Sequence, residues 1–399
     1  MPTARLYFDD PLTFEFDAKV VRHGRIGESP TLVLDRSAFY PEGGGQLADR
    51  GSLGELSVID VQVDESGDVH HLVEGELPAA GVELVGRIDV ERRRLHMAEH
   101  TGQHVLSRAL LEEAGAETVS ARLGESACTI DLDRSGLDEA SLARAERLAS
   151  SVVDADLTVR AFFPDPAELA TLALRREPKV SDEIRVVTIG SFDATPCGGT
   201  HATHTSQIGL LTIVGSERYK GGTRVTFTAG AKSRELLLRE SSVLRAMAKA
   251  MSSGPLDVPA ALDKLRRELE EVRGELGHMR SAIAERSADE LLARAEREGA
   301  DLVVACIESA TPELLRNVGA RLGQRAGTFV VLATSDSTGH SVYVTRGSGS
   351  SLDAGAYLKE LARRTGGKGG GRPERAEGRV PAQADFSAVA RAVLSAFRT

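Results

Sequence analysis

Two short stretches of this sequence carry side chains that could do chemistry. In His100-Thr-Gly-Gln-His104, two imidazoles stand four residues apart. On a helix that spacing puts both on one face, within reach of a single metal ion. In Pro196-Cys197-Gly-Gly-Thr-His201, a thiol and an imidazole also stand four apart, and the two glycines between them let the chain bend back onto one ion. His100, His104, Cys197 and His201 together offer four nitrogen and sulfur donors, the set Zn²⁺ prefers among common metals. Either half alone is weak, because paired histidines on a helix are often surface residues. The two halves together point to zinc. His96 precedes His100 by four on the same face, so His96/His100 is a competing pair, and His204 follows His201 by three. Both are expected beside the metal, toward a substrate, or on the plain surface. Cys128 and Cys306 sit among apolar residues, where a lone thiol is expected to be packing.

The elements that must hold these residues are legible in part. Residues 1 to about 90 read as β, with Val-, Leu-, Ile- and Phe-rich segments at 14–21, 31–35, 56–63 and 83–90 separated by Gly and Asp/Ser clusters, as in a small barrel. Within this region, Gly43-Gly-Gly45 marks a sharp loop or a place where backbone or substrate comes close. A helix is expected from 91 to about 112, ended by Gly115. A second helix is expected from Ser135-Gly-Leu-Asp138, which resembles a capping box, to about Val153. Strands at 157–163 and 184–190 flank a short helix after Asp165-Pro166, and a hairpin turns at Lys220-Gly-Gly222. Residues 91–232 therefore read as an α+β domain.

From 233 to 297 strand signals vanish. Val258, Leu262, Leu265, Leu269, Val272, Leu276, Met279 and Ile283 follow a seven-residue repeat, which predicts a coiled-coil seam. The seam is expected to join two chains through 258–283, or else to pair within one chain against 233–251. Residues 298–399 read as α/β, with strands at 302–306, 328–333 and 341–345 and helices at 312–325, 353–364 and 385–397. Gly366-Gly-Lys-Gly-Gly-Gly-Arg-Pro373 reads as a glycine-rich loop beside a local excess of basic residues. The fold class expected is α+β multidomain.

Composition narrows the function classes. A net charge of −10 argues against a protein that coats nucleic acid indiscriminately, without excluding a local basic face. Three cysteines are too few for a disulfide framework. No apolar run approaches a signal peptide or a membrane span, so the expectation is a soluble, cytoplasmic protein.

His100-Thr-Gly-Gln-His104 with Cys197-Gly-Gly-Thr-His201 resembles the zinc motif pair of the alanyl-tRNA editing domain. Phe39-Tyr-Pro-Glu-Gly-Gly-Gly-Gln46 is similar to the glycine motif of that domain, and Gly366–Pro373 to the C-terminal domain shared by alanyl-tRNA synthetases and DHH phosphoesterases. No aminoacylation domain is recognised ahead of these motifs, so the chain resembles the long, freestanding AlaX-type editing proteins. The resemblance implies four parts: a glycine-motif β-barrel at 1–90, a zinc-containing editing domain at 91–232, a helical coiled-coil linker at 233–297 and a tRNA-binding domain at 298–399. It implies hydrolysis of Ser-tRNA(Ala) and Gly-tRNA(Ala), which an alanine pocket rejects poorly. It carries the ligand roles onto His100, His104, Cys197 and His201. Ser37 stands where the family commonly has the Thr facing the serine hydroxyl, and Gln46 and Glu42 are implied as loop contacts with substrate. Two other classes remain. One is a nucleic-acid-binding module with a purely structural zinc; the other is a DHH-type phosphoesterase, against which stands the lack of any Asp-His-His triplet.

Overall fold

The computed structural model describes residues 2–178, 183–297, 301–383 and 385–397. The chain forms two units, Met1–Ala246 and Met247–Thr399, each mixing helices and sheets. In the first unit, six strands close into a barrel in the spatial order Glu15–Ile26, Ser29–Leu34, Val69–Glu74, Leu56–Val63, Gly51–Leu53 and Glu83–Ile88. Its interior is apolar, including Phe16, Leu32, Leu34, Phe39, Leu53, Val61 and Val69. Gly51–Leu53 and Val69–Glu74 were not expected from the sequence: the first is only three residues long, and the second carries His70 and His71 at its centre. Both histidines are buried and hydrogen-bonded, His71 facing the barrel interior and His70 the opposite face of the strand. His71 bonds Ser37 Oγ at 2.7 Å and Leu32 O at 3.1 Å, and His70 bonds Thr31 Oγ1 at 2.8 Å.

Beside the barrel lies the helix Val90–Ala114. Asp89 caps its start by accepting from Arg92 N, and Gly115 ends it in the left-handed region at φ 57°, where glycine costs least. The helix packs on a four-stranded sheet ordered Leu211–Tyr219, Gly222–Ala229, Cys128–Leu132, Thr118–Leu123, and on the helix Glu139–Asp154. The shared core includes Val105, Leu106, Leu110, Ile130, Val225 and Phe227. The cap of Glu139–Asp154 is Asp138, which accepts from Ser141 N at 2.8 Å. Ser135 lies too far upstream to reach the first turn, and a carboxylate there also suits the helix dipole.

A buried ion pair bolts helix to barrel. Arg93 and Asp49 are both fully buried, and the guanidinium also donates to Pro11 O at 2.7 Å and Ala38 O at 2.5 Å. Asp49 in turn accepts from Tyr40 N at 2.7 Å. The helix Gly230–Ala250 begins in this unit, where Lys232 donates to the buried Glu99 at 2.8 Å.

In the second unit, the helix Val258–Arg297 spans 40 residues. Val258 is buried, but Leu262, Leu265, Leu269, Val272, Leu276, Met279 and Ile283 are 36–65% exposed. A five-stranded sheet runs Leu302–Cys306, Phe329–Asp336, Gly339–Arg346, Arg375–Val380, Lys368–Arg372. The segment expected as a glycine-rich loop is therefore largely the edge hairpin of this sheet. Glycine suits the strand because of close packing: a Cβ on Gly369 would lie 2.8 Å from Gly378 Cα and 3.0 Å from Leu358 of the covering helix Ala354–Thr365. Cys306, expected in packing, is exposed, since it ends its strand, whereas Cys128 is buried. Among the described residues, no helix is long and apolar enough to cross a membrane.

Candidate metal centre

The helix Val90–Ala114 presents His100 and His104 one turn apart, both buried. The strand Asp193–Pro196, third in the antiparallel sheet Val159–Phe162, Val186–Ile189, Asp193–Pro196, delivers Cys197 and the loop to His201. Ligand atoms of His100, His104, Cys197 and His201 all lie within 4.8 Å of one another. Cys197 Sγ is 3.3 Å from both His100 Nε2 and His201 Nε2. A tetrahedral zinc with bonds of about 2.0–2.3 Å would separate its donors by roughly 3.3–3.6 Å, so the cluster can hold a metal ion. Burial alone would raise the Cys197 thiol, but the three imidazoles pull it well below its ordinary value, toward the thiolate a metal binds.

The residues behind the donors fix their orientation. Gln46 Oε1 accepts from Thr200 N at 3.1 Å, and its Nε2 donates to Thr200 Oγ1 at 2.8 Å. That settles which end of the amide faces His100: Oε1 lies 2.8 Å from His100 Nδ1, so Nδ1 is the donor and Nε2 is left bare toward the cluster. His201 Nδ1 lies 3.2 Å from Thr101 Oγ1, which also accepts from Ala202 N at 3.0 Å. Among the described residues His104 Nδ1 has no hydrogen-bond partner; it faces Asp193 Oδ2 at 3.8 Å, while Asp193 is held by Arg175 at 2.8 and 3.2 Å. Arg185 donates to Cys197 O at 3.1 Å and Gly199 O at 2.8 Å, which shapes the turn between the two loop donors. Gly199 has to be glycine, because a Cβ there would fall within the His100 ring and 2.9 Å from Gln46 Oε1. Gly45, at φ 86°, lets the Gln46 loop approach Ala121 O, which a Cβ would meet at 2.5 Å.

Of the residues singled out in the sequence, the four donors and Gln46 come together. His96 is buried outside the cluster, with Nδ1 unpartnered among the described residues, and burial together with Arg92 and Lys232 pushes it down to about 3. His204 stands just before the short 3₁₀ turn Thr205–Ile208, and its side chain makes no capping bond to it. Glu42 is exposed on the glycine loop, with its backbone N donating to Val61 O at 2.9 Å. Ser37 is fully buried against His71 and Phe39 N rather than among the donors. Sequence reasoning missed Thr101, Arg175, Arg185, Asp193 and Thr200, none of which stands in a ligand spacing.

Comparison with known proteins agrees with this architecture. Residues 184–226 match the family model of the threonyl and alanyl tRNA synthetase second additional domain, and residues 299–399 match the DHHA1 domain. The alanyl-tRNA editing protein AlaX-L of Pyrococcus horikoshii is 28% identical over 391 residues, 95% of each chain. This chain is similar to AlaX-L over nearly its whole length. The alanine–tRNA ligases of Archaeoglobus fulgidus and Thermococcus kodakarensis are 31% and 34% identical over 95% of this chain. This chain spans 42% of the length of those ligases. The 184–226 match takes in Cys197 and His201, so the second half of the donor set lies inside the matched segment.

Proposed function

We propose that this chain is a trans-editing hydrolase that cleaves the aminoacyl ester of Ser-tRNA(Ala), and of Gly-tRNA(Ala), at the tRNA 3′ end. The observation that carries the reading is the convergence of His100, His104, Cys197 and His201 on one point, with the glycine-loop residue Gln46 bonded to the first of them. The donor set suits Zn²⁺. Bound there, zinc supplies charge that polarises a carbonyl oxygen, or, with all four donors engaged, holds the site's shape.

The chain's own residues do the rest. Gln46 holds His100 in one tautomer and ties the glycine loop to the Cys197–His201 turn. Ser37 is the serine-sensing residue of this reading. His71 Nδ1 bonds Leu32 O, so its Nε2 takes the Ser37 proton; Phe39 N–H occupies one Ser37 lone pair. One Ser37 acceptor position is left by these bonds, for a hydroxyl that alanine and glycine lack; the residue is fully buried, so serine sensing through it requires the substrate to open the packing around it. Glu42, exposed on the same loop, is a further contact with substrate. The edge hairpin Lys368–Val380 supplies Lys368, Arg372 and Arg375 for tRNA phosphates, and the exposed row from Leu262 to Ile283 joins two chains as a coiled coil.

The test is deacylation of Ser-, Gly- and Ala-tRNA(Ala) by the purified protein, with metal content measured alongside. Ser-tRNA(Ala) is cleaved and Ala-tRNA(Ala) spared, with about one zinc per chain. Cys197→Ala lowers metal and rate together. Ser37→Ala slows the serine ester by roughly tenfold or less, the worth of one neutral hydrogen bond, and changes the glycine ester little. A wild-type protein that binds tRNA and zinc but cleaves nothing would leave the second reading, a tRNA-binding protein with structural zinc. The closed set of four donors is the observation that favours it.

A further inference from the structure

A row of side chains runs outward from Cys197 across the sheet Val159–Phe162, Val186–Ile189, Asp193–Pro196. The register pairs Phe162 with Val186 and Val186 with Pro196. Just beyond it, Cys197 N donates to Arg185 O at 3.0 Å. Continued by one residue, that register sets Phe163 beside Arg185 and Arg185 beside Cys197, all on one face of the sheet. Neighbouring strands stand about 4.7–4.9 Å apart, so two steps put the Phe163 backbone roughly 10 Å from that of Cys197. Phe8 covers the row: its ring meets Phe163 edge-to-face, with centroids 5.6 Å apart, and lies 5.0 Å from the Arg185 guanidinium.

Two features of the row are not explained by folding. Arg185 is only 6% exposed, yet among the described residues it has no carboxylate partner. Its Nη1 donates to Cys197 O and Gly199 O, and its Nε is buried without a hydrogen-bond partner. The buried Arg93 and Arg175 are instead paired with Asp49 and Asp193, as buried charges usually are. At the outer end of the row Phe163 is 49% exposed. One exposed aromatic ring is ordinary, but this one stands beside an unneutralised guanidinium. Arg5, half-exposed at the rim, adds a second: it lies 5.7 Å from the Phe8 centroid and bonds only Gly67 O, at 3.3 Å, among the described residues. An open aromatic face with unpaired positive charge along it is what a single-stranded nucleic acid uses, because its bases are free to stack on a side chain.

We propose that this row is a stacking platform for the unpaired nucleotides that precede the 3′ end of the RNA. One base lies on Phe163, the phosphates pass Arg5, and Arg185 sets positive charge beneath the strand where it turns toward the donors. The proposal rests on the RNA-ester reading above, and the experiment separates the two. Binding of an RNA stem–loop with a short 3′ overhang ending in CCA is measured on the full-length protein by fluorescence anisotropy, beside the same RNA with its overhang paired to a complementary strand. Ser-tRNA(Ala) deacylation is measured in parallel. The wild type binds the unpaired overhang about tenfold tighter than the paired one, the worth of one base–aromatic stack, and Phe163→Leu loses that advantage. Phe163→Trp keeps it, because the ring and not the apolar bulk is what the base needs. Arg5→Ala weakens the overhang RNA and lowers the salt slope by about one phosphate contact. Phe163 is half-exposed, so its variants keep wild-type zinc content and melting temperature, and in deacylation their loss falls on KM rather than kcat. Equal wild-type affinity for the unpaired and paired overhangs, or a Phe163→Leu protein that binds as Phe163→Trp does, overturns the platform. A ring-dependent preference for the overhang without any ester cleavage overturns the hydrolase reading and leaves the platform standing.

Discussion

Adjacent glycines in the Cys197–His201 turn should respond in opposite ways to the same methyl group. A Cβ on Gly199 would lie within the His100 imidazole, inside contact distance of both Cε1 and Nδ1, and 2.9 Å from Gln46 Oε1. Neither neighbour is a free end: His100 is a donor to the cluster, and Gln46 is fixed by two bonds to Thr200. Overpacking of this kind costs about 1–3 kcal/mol. Parting Gln46 from His100 leaves a buried N–H unpaired, a further 1–3 kcal/mol or so. Gly199→Ala should therefore lose about 2–6 kcal/mol of stability. It should also weaken metal binding by roughly 10- to 100-fold, the usual effect of losing a partner behind a ligand. Gly198 has nothing within 4 Å of its Cβ position and no positive φ, so Gly198→Ala should be neutral within about 0.5 kcal/mol. Urea unfolding and titration with a zinc chelator read both quantities on the three proteins. Should Gly199→Ala hold its metal as tightly as wild type, or Gly198→Ala lose as much, the packing of the turn against His100 is not what orients the donors.

Arg93→Met should destabilise the first unit by about 3–5 kcal/mol, because Asp49 would be left as a buried charge without a partner; a denaturant midpoint unchanged by the substitution would refute this. Burial pushes His71 down to about 4 from an ordinary 6.5, so the neutral ring contributes stability that is fully present above pH 6.5 and is lost as pH falls toward 4. The loss is roughly 3 kcal/mol, and urea melts at pH 7 and pH 4.5 should show it in wild type and lack that share in His71→Asn; equal slopes would assign the effect elsewhere. Removing residues 247–399 keeps Lys232 on Glu99 and should leave metal binding intact. It should weaken tRNA binding, flatten its salt dependence because phosphate contacts are lost, and leave a monomer by light scattering; undiminished tRNA affinity at several salt concentrations would refute the role of the second unit.

The paired-spacing motifs were legible because they are local. Four residues along a helix return to one face whatever surrounds them, so His100 and His104 could be paired from the sequence. Two glycines inside a four-residue gap make a bend, so Cys197 and His201 could be paired as well. The left-handed stop at Gly115, the Lys220–Gly221 turn and the seven-residue row from Val258 to Ile283 belong to the same class of signal, each set by backbone sterics or side-chain period within a few residues. Donor chemistry and the resemblance to a known motif pair also joined the two halves into one site; what needed the tertiary structure was which residues lie behind the donors across long separations. Gln46 meets His100 across 54 residues and Thr200 across 154, and Arg93 meets Asp49 across 44. No spacing announces such pairs, since a buried amide or ion pair is specified by the packing of whole elements. The same limit explains Ser37, whose place just ahead of the glycine motif gave no hint that its hydroxyl donates to His71 on another strand. It explains the hairpin at Lys368–Val380 too: glycine runs read as loops until a covering helix, here through Leu358, demands that nothing larger fit beneath it. Periodicity and turn chemistry, in short range, could be read from the chain; which donors are oriented, and by what, depends on atoms brought together only when the barrel, helix and sheets have packed.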